Sequence, residues 1–480
     1  MADRPNILWF TTDQQRFDTI GALGNPHVKT TVMDELVAGG TTFTHAFCQS
    51  PICTPSRSSF LTGMYPSSLR QNRNGNEVFN SDAPLVTKLI ADAGYVCGNV
   101  GKLHLASGHD GIETRADDGY TVFDYSHAPR DNSGYDYADW VRTQGASVDA
   151  LSDSPEGIPA DLHQTTWCAN RAIDFIQGHQ DDPWLLTVNP YYPHPPFDPP
   201  KSYRDRYDPD LLPGPHFRPS DLEQQAALAA IDFQTRARSP EVVGEVAEDE
   251  QMTPYGRVSA VGLHEDMRRI QAAYYAMIEL VDDQLGRILR ALDATGQREN
   301  TLVLFTSDHG EALGDHGLVL KGARFYEGLV RVPLIFNAAG QVTAGVQSSA
   351  LVELTDLAPT LLDFLGLSVP DAMQGKSLAP ILTGTGDANH HREHVRSEYI
   401  DAVDLPDATS ATMFRTERYK LVRYHNHGLG ELYDLSVDPW EHDNLWDLPE
   451  HRDVKLDLLA RSFDAAILAL DTGPQRVAPW

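Results

Sequence analysis

Basic side chains are scarce in this chain of 480 residues. Lysines and arginines number 38 against 68 aspartates and glutamates, a formal net charge of −30. A surface so acidic repels polyanions, which argues against nucleic acid or an anionic membrane as partner. Any anionic substrate then needs cations gathered locally at its site. Cysteine is almost absent: Cys48, Cys53, Cys97 and Cys168 are the only four, too few for the disulfide framework of a secreted scaffold. No apolar run approaches the roughly 20 residues that span a bilayer. The opening residues Met-Ala-Asp-Arg-Pro-Asn-Ile-Leu-Trp-Phe lack the pattern of a secretory signal, so cytoplasm is the expected location. Internal repeats and low-complexity tracts are missing as well. What remains is a hydrophobic fraction of 41%, ordinary for a globular protein, and length for one large domain plus a smaller one.

The apolar pattern predicts alternating strands and helices. Ile7 to Phe10 is continuously apolar, which predicts a buried strand over residues 6–12, ended by Asp13-Gln14-Gln15-Arg16. Helical spacing over 83–93 precedes a strand over 95–100 that ends at Gly101-Lys102-Leu103-His104. A further strand over 184–188 ends at Tyr192-Pro193-His194. The longest predicted helix runs from 265 to 295, with Ile270, Tyr274, Met277, Ile278, Val281, Leu285, Ile288 and Leu292 on one face. A strand over 301–306 then ends at Asp308-His309-Gly310. This alternation implies an α/β domain with a mostly parallel sheet flanked by helices. Such sheets bind ligands beyond the carboxyl ends of their strands. Asp13, Lys102, His194 and Asp308 each follow a predicted strand, so four distant segments deliver polar groups to one edge.

The segment 239–253 is acidic and reads as a solvated insertion. After about Gly384 the character changes. Short β-rich runs at 398–399, 411–414, 419–424 and 431–435, followed by a helical stretch over 453–470, predict a small α+β subdomain with an antiparallel sheet. The expected division is 1–384 and 385–480.

The most informative stretch is Cys53-Thr-Pro-Ser-Arg57-Ser-Ser-Phe-Leu-Thr-Gly63. Its helical signal after Pro55 puts Cys53 near a helix N-terminus, where amides and the helix dipole favour an anion. The Cys-x-Pro-Ser-Arg core resembles the formylglycine signature of the type I sulfatases, within the alkaline phosphatase superfamily. The resemblance implies an alkaline phosphatase-like fold. It also implies a Cys53 oxidised after synthesis to 3-oxoalanine (formylglycine) by a generating enzyme, whose hydrated aldehyde is the nucleophile. The run Arg418-Tyr419-Lys420-Leu421-Val422, with Glu431-Leu432-Tyr433-Asp434-Leu435 and Asp438-Pro439-Trp440-Glu441, resembles the C-terminal subdomain of the same family.

The resemblance extends to a site. It implies that Asp13, Gln14, Asp308 and His309 hold one divalent cation, which lowers the pKa of the aldehyde hydrate and polarises the ester. Calcium is the family default. Gln14 and His309 stand where many members carry an aspartate and an asparagine, and an imidazole suits manganese better than it suits calcium, which prefers oxygen ligands; magnesium also stays open. Arg57 would brace the formylglycine oxygens. Lys102 and His104, in Gly-Lys-Leu-His-Leu, resemble the family's Gly-Lys-Trp-His motif and would hold a sulfate oxygen and a hydroxyl of the hydrate. His194 would contact the sulfate, and Lys321, in Gly-Leu-Val-Leu-Lys-Gly, would neutralise the leaving oxygen. In the implied reaction one hydroxyl attacks sulfur, His194 or Lys321 assists departure, and the second hydroxyl loses a proton, to His104, as sulfate is expelled.

Each residue alone has an ordinary alternative: a helix cap for Asp13, a solvated charge for Lys102, a core histidine for His104, a turn for His194. Together two lysines and two histidines repel one another unless an anion binds between them. The expected function is hydrolysis of a sulfate monoester of arylsulfatase type. The alternative is hydrolysis of phosphonate monoesters or phosphodiesters by the same machinery, toward which Gln14 and His309 lean. Lys102 and His104 favour the sulfatase, because they crowd the place of a diester's second substituent. A non-catalytic binding protein would need a broken site, and an ordinary phosphatase or phosphomutase would need a serine or threonine nucleophile and a second set of metal ligands. Asn74, Asn76 and His316 are candidate substrate-pocket groups, with a turn or cap as the plain alternative for each. A small-molecule sulfate ester is the expected substrate, and homo-oligomerisation stays open.

Overall fold

The computed structural model describes residues 4–79, 82–108, 111–154, 156–228, 231, 237–240, 266–403 and 409–470. Most of the expected insertion at 239–253 lies outside them.

A nine-stranded mixed sheet forms the centre. Its strands in chain order are β1 (Asn6–Thr12), β2 (Thr41–Phe47), β3 (Val96–Gly101), β4 (Val122–Tyr125), β5 (Trp184–Asn189), β6 (Thr301–Ser307), β7 (Arg331–Val332), β8 (Leu334–Asn337) and β9 (Val346–Glu353). The spatial order is β4-β3-β5-β1-β6-β8-β2-β7, with β9 paired to β2. The run β4-β3-β5-β1-β6 is parallel throughout, whereas β8 runs antiparallel to both β6 and β2. Every residue of β1, β5 and β6 is buried. That matches their unbroken apolar sequences, because a strand covered on both faces has no polar side to show.

The two faces carry two hydrophobic cores. One holds Leu8, Phe10, Val188 and Phe305 together with Trp167 and Phe175 of the helix Gln164–Gly178 and the long helix Met267–Ala294. The other holds Ile7, Trp9, Leu302 and Leu304 together with Phe60 of the helix Cys53–Thr62 and Leu361 of the helix Leu357–Phe364. The long helix begins at Asp266, whose side chain accepts from the Arg268 amide, and stops at Thr295 before Gly296.

The C-terminal region forms a four-stranded antiparallel sheet in the order β10 (Val395–Ile400), β11 (Ser410–Arg415), β12 (Tyr419–Tyr424), β13 (Gly430–Asp434). The helix Arg452–Leu468 packs on it through Leu458 and Ala465. Val395, Tyr399, Met413 and Tyr433 of this sheet join the same core as Phe47 and Ile52, so apolar packing runs continuously from one sheet to the other. No helix among the described residues is long and apolar enough to cross a membrane.

Candidate active site

The strand order explains why distant segments converge. β3, β5, β1 and β6 are neighbours pointing the same way, and their last residues pair in register: Gly101 with Asn189, Thr12 with Ser307. The residues that follow them, Lys102, Tyr191 to His194, Asp13 and Asp308, therefore leave the sheet side by side. Gly101 is required for this. Its φ is +96°, and a Cβ there would lie 2.2 Å from the Asn189 carbonyl, which itself accepts the Lys102 amide at 2.9 Å.

Cys53 arrives from the end of β2. It is the first residue of the helix Cys53–Thr62, which begins two residues before Pro55 rather than after it. The helix starts early because Pro55 is tolerated in a first turn, where its missing N–H has no intrahelical acceptor to lose. Asn74 Oδ1 accepts the free Thr54 amide at 2.9 Å, so Asn74 sits beside the site as a cap of this helix.

Around the Cys53 sulfur the side chains form a closed group. Lys321 Nζ is 3.0 Å from Sγ, 2.8 Å from Gln14 Oε1 and 3.1 Å from His309 Nε2. His309 Nε2 and Asp13 Oδ1 lie 3.2 and 3.7 Å from Sγ. Lys102 Nζ pairs with Asp13 Oδ2. Arg57 donates from Nε to Asp308 Oδ2 at 2.9 Å and from Nη1 to the Lys102 carbonyl at 2.9 Å, so one guanidinium braces two of the converging loops. Asp13, Gln14, Asp308 and His309 are wholly buried, and Cys53, Arg57, Lys102 and Lys321 nearly so.

Ligand atoms of Asp13, Cys53, Asp308 and His309 lie within 4.8 Å of one another. His309 Nδ1 faces the Gly310 carbonyl at 2.9 Å, which places the proton on Nδ1 and leaves the Nε2 lone pair aimed at the cluster. Gln14 is held in the left-handed region, φ +71°, with its backbone N–H on Asp308 Oδ1 at 3.0 Å. Its side-chain amide donates to Glu311, which turns Oε1 toward Lys321 and the cluster. Two carboxylate oxygens, an amide oxygen and an imidazole nitrogen thus converge, a donor set that fits one divalent cation.

The charges shape each group. Burial raises the Asp13 carboxyl, but Lys102, then Lys321 and Arg57, outweigh it and hold the group well below its ordinary value. Burial and Asp13 push the Cys53 thiol up, while Lys102 and then Lys321 pull it down to about 7. Burial, then Lys321, drives His194 well below 6.5 against the pull of Asp13, so His194 is a neutral imidazole beside two lysines. Burial, then Lys102, does the same to His104.

His104 lies at φ +58°, and its buried Nδ1 has no hydrogen-bond partner among the described residues. His127 stands edge-on to it at 4.3 Å. Glu113 fixes the loop by accepting the amides of His104, Leu105 and Ala106 at 2.7, 2.7 and 2.9 Å. Sequence reasoning missed Glu113, His127 and Glu311. Glu311 had a signal, since it lies in the same run as Asp308-His309. Glu113 and His127 had none, because their roles follow from loop geometry.

The structure puts the other candidates elsewhere. Asn76 bonds Gln71 Oε1 at 2.9 Å in a turn, with its carbonyl on the Ser107 amide. His316 stacks on Tyr326, with ring centroids 3.9 Å apart, and its Nδ1 faces Asp221. Glu327 binds Lys420 at 2.8 Å and Arg415 at 3.3 Å, tying the loop after Lys321 to β11 and β12.

Comparison with known proteins agrees with this architecture. The sequence profile of the family described as Sulfatase matches residues 5–367, and that described as N-sulphoglucosamine sulphohydrolase, C-terminal, matches 314–465. An arylsulfatase of Clostridium perfringens is 30% identical over 95% of this chain and 93% of its own length. The multifunctional alkaline phosphatase superfamily protein PehA of Trinickia caryophylli is 30% identical over 92% and 91%. The crystal structure of the phosphonate monoester hydrolase of Agrobacterium radiobacter superposes with a TM-score of 0.81 at 29% identity, covering 98% of this chain and 96% of that one. The chain belongs to the sulfatase family, within the alkaline phosphatase superfamily, and is a sulfatase-family enzyme.

Proposed function

We propose that the protein hydrolyses sulfate monoesters of small molecules, with a formylglycine made from Cys53 by a generating enzyme, and one divalent cation. The observation that carries this reading is the closed group around Sγ: a side chain at a helix N-terminus, touched by Lys321 at 3.0 Å and by His309 at 3.2 Å, beside two buried aspartates. The Cys53 sulfur marks where an oxygen of the hydrated aldehyde would sit. When formed, the hydrated aldehyde supplies a hydroxyl nucleophile and a second hydroxyl for release of sulfate. Asp13, Gln14, Asp308 and His309 would hold the cation (calcium, manganese or magnesium), which supplies Lewis acidity toward the ester and the nucleophile.

The chain's own residues do the rest. Lys102 neutralises a sulfate oxygen and Lys321 the leaving oxygen, offsetting the cost of bringing an anion to a chain with a net charge of −30. Arg57 orients Asp308 and the Lys102 loop. His104, kept neutral by burial and by Lys102, is suited to accept a proton from a hydroxyl beside it. His194 gains a proton more readily once the substrate's negative charge lies between it and the lysines, and can then donate to the leaving oxygen. The cytoplasm suits a small substrate. Asn74, which caps the Cys53 helix, would meet the organic part of the ester.

The test is a pair of matched substrates, an aryl sulfate and an aryl phosphonate monoester. Faster turnover of the sulfate is expected. Faster turnover of the phosphonate would overturn the assignment in favour of the chemistry named for the Agrobacterium structure.

A further inference from the structure

The loop that carries Lys321 is held at a second place. Asp221 lies on the helix Pro219–Leu228, His316 on the short turn Asp315–Gly317 after β6, and His442 on the chain beyond β13. All three are buried, with 0%, 2% and 6% of their surface exposed. One ligand atom of each lies within 4.8 Å of the other two. Asp221 Oδ1 is 3.0 Å from His442 Nδ1 and 3.6 Å from His316 Nδ1.

Hydrogen bonding within the trio accounts for His442 but leaves His316 unexplained. Among the described residues its buried Nδ1 has no hydrogen-bond partner within 3.5 Å, and Asp221 Oδ1 stands just outside that reach at 3.6 Å. A buried ring nitrogen left unpaired is costly, so something ought to meet it. His316 is also held in the left-handed region, φ +54°, the conformation that turns its ring inward.

The spacing fits a metal ion. Ligands about 2.0–2.1 Å from a tetrahedral zinc stand roughly 3.3 Å apart, and the observed 3.0 and 3.6 Å fall on either side of that value. The supports of the ligands are in place too. Asp221 Oδ2 accepts the Arg218 amide at 2.7 Å, the His316 ring lies against Tyr326, and the His442 carbonyl accepts Gln224 Nε2 at 2.5 Å. We propose that Asp221, His316 and His442 form a second metal site, distinct from the cluster at Cys53, that takes a divalent transition metal ion of the zinc class. Two imidazoles and one carboxylate suit zinc and offer too few oxygens for calcium or magnesium. A metal there would join the helix Pro219–Leu228, the Lys321 loop and the C-terminal region at one point, five residues before Lys321. The site's existence does not depend on the reaction carried out at Cys53.

Chelator-stripped protein titrated with Zn²⁺ alone tests it, with bound metal counted by mass spectrometry after dialysis. His442→Gln should retain one equivalent fewer than wild type, whatever the Cys53 cluster takes up. Asp308→Asn should keep the equivalent that His442→Gln loses. Equal zinc content in wild type and a folded His442→Gln protein would overturn the proposal. Should that variant fail to fold, wild-type crystals grown with zinc decide the matter. An anomalous peak between Asp221, His316 and His442 is expected, and its absence refutes the site.

Discussion

Replacing Lys321 by methionine separates a leaving-group role from a merely structural one. Nζ lies 3.0 Å from Cys53 Sγ, at the centre of the site where the ester is attacked at sulfur. A unit charge pair at about 4 Å is worth about 4 kcal/mol at an effective dielectric near 20. A nitrophenol leaving group, which needs little help, carries about half a charge in the transition state and would draw about 2 kcal/mol, roughly thirtyfold in rate. A poor leaving group that develops nearly full charge would draw about 4 kcal/mol, roughly a thousandfold. The assay is kcat/KM across aryl sulfates whose phenols span several pKa units, for wild type and Lys321→Met at equal metal content. The dependence on phenol pKa should steepen in the variant. An equal loss on every substrate would refute the role and move Lys321 to the other side of the reaction, where it supports Gln14 and His309.

Three other perturbations have worked outcomes. Arg57→Lys supplies a charge but cannot span both Asp308 Oδ2 and the Lys102 carbonyl; losing one charged hydrogen bond of about 1.5–3 kcal/mol should lower kcat/KM roughly tenfold to a hundredfold, and unchanged kinetics would contradict the bracing role. Gly101→Ala puts a Cβ 2.2 Å from the Asn189 carbonyl at φ +96° and should destabilise the fold by roughly 2–5 kcal/mol in denaturant melts, whereas a change under about 1 kcal/mol would show that the strand ends can shift. Asp282 is buried and accepts the Val32 and Met33 amides at 3.0 and 2.8 Å, yet burial raises its carboxyl to about 7. Because that lies above the unfolded value of about 4, stability is fully present below pH 4 and declines as pH rises through 7, by up to about 4 kcal/mol. Wild type should therefore lose stability relative to Asp282→Asn between pH 4 and 7 and level off above that, and parallel stability–pH curves would contradict the shift.

Much of the fold was legible because its signals are local. Strands buried on both faces are written as unbroken apolar runs, so Asn6–Thr12 matched to the residue and the strands at Trp184 and Thr301 to within one. The long helix was visible through its apolar face, Ile270 to Leu292. The convergence of Asp13, Lys102, His194 and Asp308 followed from topology alone, since parallel strands end on one edge. Side chains whose work depends on another loop left no such trace. Glu113 matters because three amides of the 104–106 segment turn toward it, and Asn74 because the Thr54 amide is free at the start of a helix. His316 carries the same composition whether it lines a substrate pocket or faces Asp221 and His442, and only the turn at φ +54° decides which.

The state of Cys53 tests the central claim most directly. Protein coexpressed with a formylglycine-generating enzyme should yield a peptide spanning Cys53 to Gly63 in which one sulfur and two hydrogens are replaced by one oxygen, with a carbonyl that captures a hydrazine probe. Activity should rise in proportion to that converted fraction. A fully active preparation in which Cys53 remains a thiol would contradict the account.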